Sequence, residues 1–189
     1  YKSFISGILF HGIYLGGVFF SISLGFPAST SALIVSLQPI LTNILAGPLL
    51  NELITWRQWL GISLGFLGAL IVLGLDTHIN FSSIAIISIF LALFASTAAI
   101  LWQKKISSNV SLVVSNFYQA IGASIFLFFM TILIEFPYIN FTFSFILSMS
   151  WQIVIISFGA FSILMYLIKH DSASKTSNLF FLVPSISAL

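Results

Sequence analysis

The amino-acid sequence predicts an all-α integral membrane protein, a multispanning helical bundle, and three observations predict it. Of its residues 59% are apolar and only 5% are charged, too little polar surface for a soluble fold to cover itself. No charged residue lies between Lys2 and Glu52, Arg57 and Asp76, Asp76 and Lys104, Lys105 and Glu135, or Glu135 and Lys169. Gaps of that length, filled with Ile, Leu, Phe, Val and Ala, suit a hydrocarbon layer about 30 Å thick, which a helix crosses in about 20 residues. All six Lys and Arg residues then fall on one side of the weave.

Seven spans follow, at 4–24, 29–50, 56–75, 82–103, 112–134, 146–168 and a last one from 176. The first gap holds two helices because Gly25-Phe26-Pro27-Ala28-Ser29 supplies a turn between them. Lys2, the Asn51–Arg57 turn, a Lys104-Lys105 loop and a Lys169–Lys175 loop carry every cation. The turns at 25–28, Asp76–Phe81 and Glu135–Ser144 carry none. Lys and Arg in short loops stay cytoplasmic, so the first helix is expected to run outward from the cytoplasm, in the plasma (inner) membrane. Trp56, Trp59 and Trp102 fall beside Arg57 and Lys104, at the depth that amphipathic rings prefer. The net charge of +2 is thus an orientation signal, and no basic face exists for nucleic acid. The N-terminal apolar run is too long for the h-region of a signal peptide. With no cysteine, disulfides and thiol chemistry are excluded.

An internal echo organises the chain. Ala28-Ser29-Thr30-Ser31 leads to Pro39, and Ala173-Ser174-Lys175-Thr176-Ser177 leads to Pro184, with Leu37 matching Leu182. The offset lands the second span on the seventh and the first on the sixth, a period of five helices. An odd period inverts each unit in the bilayer, and inverted repeats are a recurrent architecture of secondary transporters, with the substrate held near the midplane between them. The expected units are 1–75 and 82–189. The chain starts at Tyr1 without methionine, and 176–189 as a helix would reach only about 21 Å, so it is expected to be a stretch of a longer protein.

The stretch Pro27-Ala28-Ser29-Thr30-Ser31-Ala32-Leu33-Ile34, followed by Leu37-Gln38-Pro39-Ile40-Leu41, carries a family resemblance. It continues through Asn51-Glu52-Leu53, Gln58-Trp59-Leu60-Gly61 and Gly65-Phe66-Leu67-Gly68-Ala69-Leu70-Ile71-Val72-Leu73-Gly74. This resembles the EamA type of the drug/metabolite transporter superfamily: a proline-bearing helix, a Gly/Asn-Glu turn, then a Trp-Leu-Gly helix studded with glycine. Weaker similarity runs through Ala98–Lys105 and Leu182-Val183-Pro184. The resemblance implies ten helices in two inverted five-helix halves with both termini cytoplasmic. This chain then corresponds to helices three to nine, the ninth incomplete, a truncated form of the ten-helix fold.

Polar groups inside spans are costly and face the bundle interior, so they mark the candidate substrate-binding residues. His11, with Tyr14 one turn on along the same face, suits a substrate carboxylate or a titrating role near neutrality; a neutral ring bonded to a neighbouring helix is the plainer alternative. Gln38 and Asn43 flank Pro39, which lacks an N–H and frees a carbonyl to bind a ligand or to be satisfied again by Ser36 or water. Asn116 and Gln119 lie one turn apart nearer the cytoplasmic end, where hydration is expected. Trp102 either closes one end of a cavity or anchors the interface. Ser96 and Thr97 are expected to bond their own helix carbonyls. Gly61, Gly65 and Gly68, and Gly12 with Gly16, form small-residue ridges that let helices pack closely within the chain or in a homodimer. Glu52 is expected to face the backbone donors at the start of the third span.

Catalysis finds no footing. His11, His78 and His170 are scattered, all four acids fall in expected loops, and neither a metal spacing, a nucleophile elbow nor a phosphate loop occurs. No cofactor is expected. The partners are a small-molecule solute and the lipid bilayer. The reading is a secondary transporter of small organic solutes, an amino-acid or metabolite exporter or permease of a bacterium, working by alternating access. The alternatives are a membrane-embedded lipid-modifying enzyme, which needs convergent His, Asp or Glu at one interface, and a non-transporting assembly fragment docking through the Gly61–Gly68 ridge.

Overall fold

The computed structural model describes residues 1–73, 82–107, 111–134 and 138–181. Every regular element among them is helical. Helix α1 spans Lys2–Ser23, α2 Ala28–Leu50, α3 Trp56–Leu73, α4 Ser83–Ser107, α5 Leu112–Ile134 and α6 Phe143–His170. A short α7, Ala173–Asn178, runs into a 3₁₀ turn at Leu179–Phe181. Five of the seven expected spans, α1, α2, α4, α5 and α6, are long and apolar enough to cross a bilayer. The third reaches the limit of its described residues at Leu73 after 18 residues, about 27 Å of helix. Asp76, His78, Glu135 and Pro184 lie outside the described residues.

Several boundaries shift in one direction. Lys104 and Lys105 are not in a loop but close the last turn of α4, and Lys175 belongs to α7 rather than to a loop. Cations at a helix C-terminus are stabilised by the exposed carbonyls there, so a loop assignment based on charge ends the helix too early. Phe143 and Ser144 likewise open α6 instead of closing a turn, because Thr142 caps that helix by accepting the Phe145 N–H at 3.2 Å.

Three helices are irregular. α1 carries a π-helical stretch at Ile8–Leu15 and α6 another at Gln152–Ala160. α2 breaks between Val35 and Gln38. There Leu37 turns its N–H to Ile34 O at 3.1 Å and Ser36 Oγ donates to Leu33 O at 2.6 Å. Pro39 has no N–H to return to the Val35 carbonyl, so the regular ladder stops one turn before it. The irregularities keep the spacing of the sequence echo. Ala28 opens α2 and Ala173 opens α7, 145 residues later, and the same offset carries the first π stretch onto the second.

α4 is the axial helix. Of its most apolar window 56% is buried, against 17% in α5 and 11% in α6. Ala99, Ile100 and Leu101 meet Phe10 of α1, Ala46 of α2, Met165 and Ile168 of α6, and Ala173 of α7. Lipid tails are as apolar as Leu, so helices associate through close packing and hydrogen bonds instead. The tightest approach is α1 on α5. A Cβ at Gly7 would collide with the Gln119 carbonyl oxygen, and one at Gly122 with that of Phe4. Gly12 and Gly16 serve as expected, Gly12 lying under the Phe126 ring, where a Cβ would stand 2.6 Å from Cδ1. On α3, among the described residues, nothing lies within 4 Å of a Cβ at Gly61 or Gly68, the two ends of the expected ridge.

Candidate functional site

The break in α2 positions the candidate site. Gln38, Thr42 and Asn43 project from the second half of α2 into a buried seam with α7. Gln38 Nε2 donates to Thr42 Oγ1 at 2.9 Å and to Ser177 Oγ at 3.3 Å. Asn43 Nδ2 donates to Pro39 O at 2.7 Å and to Asn178 Oδ1 at 2.9 Å. Thr42 and Asn43 are wholly buried and Gln38 nearly so. The seam is not saturated: among the described residues Asn43 Oδ1, and on α7 itself Ser174 Oγ and Thr176 Oγ1, are buried without a hydrogen-bond partner. Unmet buried acceptors and donors cost free energy, and they are the groups that a polar ligand or water would satisfy.

Beside the seam lies a cavity of about 210 Å³, walled by Tyr14 and Val18 of α1, Ser31 and Val35 of α2, Gln38 and Phe180. Its walls are mainly apolar, and Ser31 Oγ, also buried and unpartnered, adds a polar point. It runs from the break in α2 toward the turn at 24–27, in the half of the bundle away from the cations.

The sequence-derived candidates divide into three groups. Tyr14 and Gln38 line the cavity, while Pro39 and Asn43 stand behind it in the seam. His11 sits in the π stretch of α1, half-buried, its ring centroid 4.4 Å from that of Phe161 and 5.6 Å from that of Phe10. It is an aromatic contact to α6, one turn nearer the cations than Tyr14. The remaining three are tied up elsewhere. Trp102 Nε1 donates to Lys2 O at 3.1 Å and fastens the start of α1 to α4. Asn116 Nδ2 reaches Ser162 Oγ at 3.4 Å.

Gln119 belongs to a second polar cluster that sequence reasoning missed. Ser6 Oγ donates to Gln103 Oε1 at 2.9 Å; Gln119 Nε2 reaches Ser115 Oγ at 3.1 Å and Gln103 Oε1 at 3.3 Å. Ser3 joins through Ser115 at 3.3 Å. Gln119 and Gln103 are fully buried and bond to protein groups. Gln103 is the last residue of the expected span 82–103, beside the Lys104-Lys105 pair. The i, i+3 spacing of Ser3 and Ser6 opposite the i, i+4 spacing of Ser115 and Gln119 was the available signal. Ser96 and Thr97 behave as expected, both donating to Leu93 O, at 2.8 and 2.9 Å.

Glu52 departs most from expectation. Its carboxylate turns away from the start of α3 and accepts the Ala173 N–H at 2.8 Å and the Ser174 N–H at 3.1 Å, capping α7 from 121 residues away. A carboxylate favours a helix N-terminus because unpaired N–H groups and the helix dipole concentrate positive potential there. Among the described residues no group of three His, Cys, Asp or Glu is placed to hold a metal ion.

Apolar spans, polar seams between helices and a broken helix beside a cavity define a multi-pass α-helical membrane protein. Residues 2–74 match the EamA-like transporter family, so the α1–α3 stretch is similar to that family, as its motifs imply. No curated protein and no solved structure matches the chain.

Proposed function

We propose that this chain works as a secondary transporter that moves a small organic solute, such as an amino acid or another metabolite, across the plasma (inner) membrane of a bacterium by alternating access. The observation that carries the reading is the cavity ending on Gln38 at the break in α2, beside a seam with unmet hydrogen-bonding capacity. Broken helices with freed polar groups are how such carriers bind solute at membrane depth. Apolar walls hold the body of the solute, and Tyr14, Ser31 and Gln38 orient its polar end. In the cycle α2 and α7 exchange hydrogen bonds with each other for hydrogen bonds to solute, so binding and the relative movement of the two units are coupled. The cation-bearing turns face the cytoplasm. The 145-residue spacing shared by helix starts and π stretches supports two units, 1–75 and 82–189, related as inverted repeats.

Flux of radiolabelled amino acids and metabolites into proteoliposomes holding the purified chain is the test. Uptake of at least one solute that falls about tenfold in Gln38→Ala is expected. Absence of flux for every solute, in protein shown to be folded, would overturn the reading.

A further inference from the structure

We propose that Glu52 is the positioning residue that seats α7 against α2 and so shuts the cation-bearing end of the bundle while the cavity stands open toward the other end. The inference rests on the transport reading above, and it assigns a part of the cycle to a residue outside the cavity.

Glu52 lies in the turn after α2, where Asn51 takes a left-handed conformation with φ 55° and ends the helix. That turn aims the carboxylate across the bundle at the first two N–H groups of α7, one oxygen to each. Ser172 Oγ accepts the next donor, from Lys175, at 3.2 Å. The preceding helix end is held as well: Lys104 Nζ donates to the carbonyl oxygens of Asp171 and, at 3.3 Å, Lys169. A cation on the C-terminal carbonyls of α6 and an anion on the N-terminal amides of α7 thus clasp one corner, each matching the local sign of the helix dipole. The Glu52 arm of this clasp joins that corner to the α2–α3 turn.

The seat of α7 matters to the cavity because α7 carries both partners of the seam. Ser177 and Asn178 meet Gln38 and Asn43, and Phe180 reaches the cavity wall. Under Glu52, Ala46 and Ala173 are both fully buried in the core against α4 and α6. Among the described residues Ala46 and Ala173 thus pack between Glu52 and the seam, and the cavity lies beyond it. Charge-assisted hydrogen bonds to backbone amides are strong enough to hold such a seat and few enough to release it. When α7 swings off, the two carboxylate bonds break together and the cation-bearing side gains access to Gln38 and Asn43.

The absence of native cysteine makes single-cysteine reporters clean. Ala46→Cys reads access under Glu52, and Ser31→Cys reads the cavity wall. Each is labelled with N-ethylmaleimide in the full chain in membranes, with Glu52 intact, as Glu52→Gln and as Glu52→Ala. The expected result is labelling at 46 about tenfold faster in Glu52→Ala, the ratio set by losing hydrogen bonds to a charged acceptor. Glu52→Gln, which keeps one strong acceptor, falls between, and labelling at 31 slows. Faster labelling at both positions marks general unfolding and overturns the proposal, as does no change at 46. Wild-type solute flux is measured in parallel. Opposite labelling changes without any flux leave the seat of α7 standing and remove the transport reading; flux with unchanged labelling removes the role of Glu52 alone.

Discussion

The two buried polar clusters differ in how completely they are satisfied. Between α1, α4 and α5, Ser3, Ser6, Gln103, Ser115 and Gln119 bond one another around two glycines that bring the backbones together. Between α2 and α7, Gln38 and Asn43 find partners but leave Asn43 Oδ1, Ser174 Oγ and Thr176 Oγ1 unmet. A closed network rigidifies the structure around it. An open one keeps capacity for a guest at a cost in stability, a trade common at functional sites. The first cluster reads as the weld of the bundle and the second as its working face.

Substitutions can break this contrast, and the largest effect belongs to the weld. Gly122→Leu puts a side chain into the Phe4 backbone and is expected to cost about 3 kcal/mol, read as loss of folded protein in detergent thermal melts. Next comes Gln119→Leu, which takes one partner each from Gln103 and Ser115; a loss of about 1 to 2 kcal/mol with unchanged flux per folded molecule is expected. Asn43→Ala should do the reverse, costing about 1 kcal/mol or less while cutting flux per folded molecule severalfold. Stability loss in Asn43→Ala equal to that in Gln119→Leu, with flux intact, would erase the distinction. Smallest is Thr97→Val: its hydroxyl serves only a carbonyl of its own helix, and a melt should register about 0.5 kcal/mol or less.

The sequence displayed the membrane course of the chain because hydrocarbon thickness imposes uncharged runs of fixed length. It displayed the break in α2 because proline cannot donate, whatever surrounds it. Thr97 was legible for the same reason, its partner being four residues away. What stayed hidden depends on distant partners. Nothing local tells Glu52 that its amides lie on α7, or tells Gly7 from Gly61, although one is crushed against α5 and the other has open space beside it. The glycine ridge on α3 had the same spacing as ridges that do pack. The π stretches were hidden too, since a lag of one residue per turn is lost within so short an apolar run.

The π stretch in α1 has a consequence for how this gene can change. Residues beyond it meet α4 in fixed angular phase: Ser88 Oγ donates to Gly17 O at 2.8 Å, and Ser21 Oγ to Ala85 O at 3.0 Å. Removing one codon from the Ile8–Leu15 segment would let the helix relax toward regular winding and largely keep that phase, because a π turn holds about one residue more than an α turn. Removing one from the regular turns after Leu15 would instead rotate the residues beyond it by about 100°, and Ser21 would turn off α4. The π stretch thus marks where α1 can lose a residue and keep its mating face, while a deletion in the turns after it leaves the hydropathy of the span unchanged and ruins that face.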